Sequence, residues 1–204
     1  GAIAQDDVKR ILSFHIVSHV GFMVMGLGFF TVAGLGGAVF YIVHHIIVMT
    51  TLFLTGGLVE HVGGSSRLSR LGGLVGKSPV VSLVFLVSGL SLAGLPPFSG
   101  FVAKLGLLQA GASASHHTIV AVALVVSLLT LFSMMKIWSA VFWGTPRSEP
   151  EVRTAAPPLM LAPTLLLAAA SIVVSVAAGP LAGLSERAAQ GLLDRSAYVS
   201  AVLR

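Results

Sequence analysis

Lys104 is the residue whose type and setting point most directly to chemistry. It lies in an apolar stretch, flanked by Val102, Ala103, Leu105 and Leu107, four residues after Gly100. A lysine at the centre of a bilayer costs on the order of 3 kcal/mol on insertion scales, so its presence there is a functional signal. An amine held at that depth can take up and release a proton. The competing reading is a lysine near a helix end that stretches its charge to the interface. Lys77 and His116 are its nearest charged or titratable neighbours in sequence, which argues against a position close to either surface. His44 and His45 form a second group, because imidazole titrates near neutral pH and can pass protons. Tyr41, His45 and Met49 recur every four residues and share one helical face. The alternative for both histidines is helix packing through hydrogen bonds to neighbouring helices. His15 and His19 also lie four apart, but no HExxH glutamate or third ligand accompanies them. Packing is the reading for that pair, with His19 a secondary candidate. Lys136, about two turns before Trp143, is the other secondary candidate, for a relay or for snorkelling.

The elements that must position these groups follow from hydropathy. The chain is 55% hydrophobic and 9% charged, with a mean hydropathy of +0.97. Soluble domains carry roughly a quarter charged residues, so the expectation is an all-α integral membrane protein. Five spans are predicted, near 11–32, 38–58, 79–110, 118–143 and 159–178. The glycine-rich segment 33–37 reads as a tight turn between the first two. The third span exceeds 30 residues, too long for one straight crossing of a bilayer core that about 20 residues can span. It contains Gly94, Pro96, Pro97 and Gly100, and two successive prolines cannot continue a helix. The third helix is therefore expected to break between Gly94 and Gly100. Broken backbone at membrane depth must be buried in protein or line a wet cavity. Residues 181–204 interleave Glu186, Arg187, Asp194 and Arg195 with Leu and Ala, the pattern of an amphipathic tail at the interface. The whole chain, 1–204, reads as one transmembrane domain.

Charge sets an orientation and excludes function classes. The first 10 residues, the 60–78 loop and the 145–158 loop fall on one side, with Lys9, Arg10, Arg67, Arg70, Lys77, Arg147 and Arg153. The two short loops opposite carry no Lys or Arg, and the tail adds Arg187, Arg195 and Arg204. The positive-inside rule makes the first side cytoplasmic. The net charge of +5 is spread over loops, with no basic stripe and interleaved aromatics, so nucleic acid is not an expected partner. No Walker A, GxSxG, Rossmann fingerprint or cysteine–histidine zinc pattern occurs. Neither a cofactor, a metal nor covalent catalysis is expected. The start at Gly-Ala-Ile-Ala suggests a piece of a longer protein.

Several segments resemble a known family. DVKRILSF at 7–14 with SHVGFM at 18–23 is similar to the "D-[LIV]-K-R-[LIV]-L-[AS]-[YF] … S-x-[LIV]-G-[YF]-M" stretch of the proton-translocating antiporter-like proteins. These comprise the large subunits of Mrp-type multisubunit Na⁺/H⁺ antiporters and the antiporter-like subunits of respiratory complex I. FYIVHHIIVMTTLFL at 40–54 resembles their "H-x-x-x-H-x-x-x-K-x-x-L-F" helix, SLAGLPPFSGFVAK their broken helix, and LFSMMKIWSAVFWG the helix that follows. The C-terminal stretch with DRSAYVSAVL is most similar to the D-type subunits of the Mrp branch. The resemblance implies the later part of an inverted-repeat antiporter fold of about fourteen helices, with the other repeat upstream. It implies that Lys104 matches the protonatable lysine of the broken helix and His45 the second relay histidine. Tyr41 replaces the first histidine, and Met49 stands where a relay lysine is often found. A methionine cannot carry a proton, so His44, His45 or water would have to bridge toward Lys104. The implied function is proton translocation in a bacterial cytoplasmic membrane, with Na⁺, other antiporter subunits and lipid as partners. A complex I proton-pumping subunit and a non-conducting structural subunit are the alternatives.

Overall fold

The computed structural model describes residues 1–145 and 156–202. The loop expected at 145–158 therefore lies largely outside the described residues, as do Arg147, Arg153 and Arg204 from the charge count. Among the described residues the chain is helical throughout: α1 (Val8–Gly28), α2 (Val32–Gly63), α3 (Leu74–Lys77), α4 (Pro79–Ala93), α5 (Ser99–Ser113), α6 (His117–Val141), α7 (Pro158–Val176), α8 (Ala178–Leu193) and α9 (Arg195–Val202). Helices α1, α2, α6 and α7 are long and apolar enough to cross a membrane, and α4 is a shorter apolar helix. With α5 completing the path begun by α4, this is the expected all-α membrane architecture with a broken third span.

Local chemistry sets the ends. Asp7 caps α1 by accepting the Arg10 N–H at 3.0 Å, and Thr31 caps α2 through the Gly34 N–H at 3.0 Å. Pro79 opens α4, where its missing N–H is harmless. Gly94 closes α4 at φ +86°, returning its N–H to Leu90 and Ser91. At 32 residues α2 is about 48 Å long, more than a hydrocarbon core needs, so it tilts or protrudes.

The predicted turn at 33–37 is corrected. The chain reverses at Phe29–Phe30–Thr31, with Phe30 at φ +48°, and residues 33–37 form the first turns of α2. Their glycines serve close packing instead. A Cβ on Gly34 would meet the Gly26 carbonyl at 2.7 Å, one on Gly37 the Leu107 side chain at 3.0 Å, and one on Gly36 the Glu186 backbone at 3.3 Å. The last contact places α8 beside the start of α2, while Met160 of α7 lies against Gly57. Helices α7 and α8 thus follow α2 one after the other, in the opposite sense. The segment expected as an amphipathic tail is α8 packed along α2, followed by the short α9.

The N-terminus, the 64–78 segment and the end of α6 gather at one end. Val8 N–H bonds Ser66 O at 3.0 Å and Leu68 N–H bonds Asp6 O at 2.8 Å, while Val75 N–H reaches Phe142 O at 3.2 Å. Lys9 pairs with Glu60 in an exposed salt bridge, a contact type worth about 0–1 kcal/mol. Partial burial pulls the Asp7 carboxyl upward. The Ser66 hydroxyl, the Arg10 and Lys9 N–H groups and the Arg10 charge outweigh it and hold Asp7 below the usual carboxylate range.

Two apolar clusters make the core. One, near this end, contains Leu12, Leu52, Phe85, Leu92, Ile137 and Phe142. The other contains Phe22, Phe40, Tyr41, Ala103, Leu107 and Val174. On α1 and α6 the buried polar residues fall between the two, His15 and His19, Thr130 and Ser133, as do His44 and His45 of α2, whereas Thr51 and Thr55 of α2 lie within the span of the first cluster. The α4–α5 break occupies the same layer. The fold therefore encloses a polar stratum between two apolar ones.

Candidate functional site

Lys104 projects from the second turn of α5 and is only 4% exposed. Its Nζ donates to the carbonyls of Leu92 at 3.1 Å and Ala93 at 2.8 Å, the last two residues of α4. Those carbonyls have no partner within their own helix, and the C-terminal end of a helix carries partial negative charge. One side chain thus ties the two halves of the broken helix together. The Phe22 ring lies beneath the amine, with Nζ 5.5 Å from its centroid.

The glycines of the break are there for space. A Cβ on Gly94 would lie 2.7 Å from Lys104 Cδ, at a backbone φ that side chains rarely adopt. A Cβ on Gly100 would fall 1.8 Å from Ser91 O and 3.0 Å from His44 Cε1. The start of α5 therefore crosses the end of α4 in direct contact and touches His44. Pro96 and Pro97 sit in the turn between and keep it from becoming helical.

Around the break the buried polar side chains form a chain of contacts. His44 Nδ1 and Ser99 Oγ are 2.9 Å apart, and Ser99 Oγ lies 3.5 Å from Ser91 Oγ. Ser175 Oγ accepts the Ser99 N–H at 2.8 Å, so α7 caps the first turn of α5. Tyr41 Oη and His19 Nδ1 are 2.9 Å apart. The His19 ring is 5.2 Å from that of His45 and 6.1 Å from that of His15, between centroids. Tyr41 lies 5.8 Å from His44 and 6.5 Å from His45. Among the described residues, His15 Nε2, His19 Nε2, His44 Nε2 and His45 Nδ1 are buried with no hydrogen-bond partner. Leaving such a group unpaired costs about 1–3 kcal/mol, so these edges are where a mobile hydrogen-bonding species gains most. Contacts at 2.9 Å are short enough for direct proton transfer, whereas ring centroids 5.2 and 6.1 Å apart would need an intervening water.

Of the residues singled out from sequence, Lys104, His44, His45, Tyr41, Gly94 and Gly100 come together around the break. His19 joins them. Met49 does not: it is buried in the apolar cluster with Leu12 and Leu52. Lys136 is also apart, donating to Ile3 O at 2.7 Å and Gln5 O at 2.6 Å at the N-terminal end. Sequence reasoning misses Ser91, Ser99 and Ser175 and leaves His15 to packing. The serines carry no motif, and the histidines of α1 gain meaning only once α1 is laid against α2. Among the described residues no group of three or more His, Asp or Glu is placed to hold a metal ion.

Two cavities flank the layer. One, about 310 Å³, lies between α2, α5 and α8. Ala103, next to Lys104, lines it together with Gly37, Gln109, Ser113 and Glu186. The other, about 300 Å³, lies between α1, α6 and the first residues and is lined in part by His15, Thr130 and Ser133.

Comparison with known proteins fits this geometry. A family model described as NADH:quinone oxidoreductase/Mrp antiporter, transmembrane, matches residues 1–130. The chain is 44% identical over all 204 residues to the D-type subunit of the Na⁺/H⁺ antiporter of Alkalihalophilus pseudofirmus, of which it covers 41%. It superposes with a TM-score of 0.90 on a chain of the Mrp complex from Dietzia sp. DQ12-45-1b, at 36% identity, covering all of this chain and 46% of that one. A chain of the membrane-bound sulfane sulfur reductase, an archaeal respiratory membrane complex, gives 0.84 at 27% identity, covering 98% of this chain and 40% of that one. The chain thus spans less than half the length of each of these proteins. The protein belongs to the NADH:quinone oxidoreductase/Mrp antiporter transmembrane family.

Proposed function

We propose that the chain is the later part of the D-type subunit of an Mrp-type monovalent cation/proton antiporter, and that it carries protons through the polar layer to Lys104. One observation carries this reading: a lysine only 4% exposed, bonded to the last two carbonyls of α4 at a helix break and adjoining a cluster of buried histidines. Protons move laterally among His45, His44, Tyr41 and Ser99 and load Lys104. They leave through the cavity between α2, α5 and α8, which Ala103 and Leu105, the sequence neighbours of Lys104, help to line. An ammonium on Lys104 has two of its three donors on Leu92 and Ala93. Loading and unloading therefore make and loosen the tie across the break.

The expected setting is a bacterial cytoplasmic membrane, with the N-terminal end cytoplasmic by its Lys and Arg content. Other subunits, lipid, protons and Na⁺ are the partners. The 44% identity to a D-type antiporter subunit favours this over a proton-pumping subunit of complex I, whose members share the family. Met49, packed in an apolar cluster where a relay lysine would stand, favours a second reading: a structural subunit that conducts nothing. Replacing His45 and Lys104 together by alanine in the complete complex separates the two. The relay reading predicts assembled complex with cation-driven proton flux at background. Full flux from that variant would establish the structural reading.

A further inference from the structure

His15 and His19 of α1 stand four residues apart and face Tyr41 and His45 of α2, also four apart. The two ladders interleave. His19 sits between Tyr41 and His45, hydrogen-bonded to the first and 5.2 Å from the ring of the second, with His15 one turn away. All four are buried, and His15 also lines the cavity between α1 and α6 with Thr130 and Ser133. On α2 itself, the next residue of this face after His45 is Met49, enclosed by apolar side chains. Polar side chains therefore lead from that cavity into the layer along α1, whereas the Met49 face of α2 is apolar.

From this placement we infer that His15 and His19 form a proton-carrying branch that enters the layer from the α1–α6 cavity, bypasses Met49 and joins the relay at His45 and Tyr41. The branch rests on the relay reading above. Packing alone does not account for it. Imidazoles at both positions leave Nε2 without a hydrogen-bond partner among the described residues, which phenylalanine or leucine would avoid. In the branch each ring accepts a proton on one nitrogen and releases one from the other. The step from His19 to Tyr41 runs through an existing hydrogen bond. No bond other than N–H and O–H is made or broken, and the net result is one proton moved. The Thr130 and Ser133 hydroxyls already donate to backbone carbonyls at 2.9 Å, so they offer the cavity lone pairs. The cavity is mostly apolar, and His15, Ser18, Thr130 and Ser133 are the polar groups in its lining that can hold water.

The test uses the complete multisubunit complex in inside-out vesicles. Sodium-driven proton flux is measured across the neutral to alkaline range alongside the amount of assembled complex. The variants are His15→Gln, His19→Gln, His19→Gln with Met49→Lys, and Lys104→Ala. Glutamine keeps a polar side chain of similar length but cannot carry a proton in this range. The branch predicts that His19→Gln lowers flux per assembled complex by at least about tenfold, within the range that positioned acid–base groups contribute. His15→Gln lowers it and shifts the pH profile. Met49→Lys restores a large part of the loss, because it supplies the titratable group that the branch replaces. Unchanged flux and profile in both glutamine variants, with Lys104→Ala inactive, overturns the branch and leaves the relay standing. Loss of flux that only tracks loss of assembled complex assigns the ladder to packing and also overturns it. Full flux in Lys104→Ala instead removes the relay reading on which the branch rests.

Discussion

At the scale of single residues, small groups let larger ones meet. Gly100 is the sharpest case, because a Cβ there would overlap the Ser91 carbonyl and press on His44. Gly100→Ala is expected to destabilise the complex by about 1–3 kcal/mol, as overpacking does, and to lower flux. Thermal unfolding of the purified complex measures the first, and an unshifted melting curve would count against the close crossing of α4 and α5. Ser99 works through bonding: it is the hydrogen-bond partner of His44. Ser99→Ala leaves that nitrogen unpaired and is expected to cost about 1–3 kcal/mol, with flux falling more than stability if Ser99 carries protons. Some of this is legible in sequence. Lys104 announces itself through its apolar neighbours, and Pro96-Pro97 marks the break. His19 does not, because its partners Tyr41 and His45 lie on the next helix and meet it only through the register of α1 on α2. Ser91, Ser99 and Ser175 look like ordinary helix serines until three helices are brought together.

At the scale of elements, the helices are legible in sequence and the joints less so. Hydropathy places the spans, but the glycines at 34, 36 and 37 suggest a turn when they are packing positions for α1, α8 and Leu107. Glycine has both uses in membrane helices, and the Thr31 cap is the sign that α2 starts earlier. The charged face of α8 signals an amphipathic helix, but not that α8 lies along α2. The N-terminal joint gives an element-scale prediction. Asp7 caps α1 and also accepts the Ser66 hydroxyl. Its carboxyl is held below the usual range when folded, so its contribution is complete above the unfolded carboxylate pKa of about 4. That contribution is lost as pH falls through the lower folded value. Amide exchange at Val8 and Leu68 is expected to speed up only at such acid pH, relative to neighbouring amides. Asp7→Ala should speed it at neutral pH, in line with a cap worth roughly 1 kcal/mol. Equal protection in the variant would show that the backbone bonds at Ser66 and Asp6 hold the joint alone.

At the scale of the whole molecule, two apolar clusters enclose a polar layer that holds a broken helix, a buried lysine and the buried histidines of α1 and α2. The outward faces of α1, α6 and α7 carry exposed Val17, Leu27, Leu128, Phe132, Leu166 and Val176, the surface a membrane protein offers to lipid and to neighbouring subunits. Met49 interrupts the polar face of α2 with an apolar contact, and the proposed path accordingly uses the α4–α5 break on one side of the layer and α1 on the other. Lys104 is where the proposed path is loaded, and on that residue the proposed function stands or falls. The most direct test is Lys104→Ala in the complete complex, with sodium-driven proton flux in vesicles normalised to assembled complex. Flux is predicted to fall to background while assembly persists, and flux equal to that of the unaltered complex would contradict the role given to Lys104.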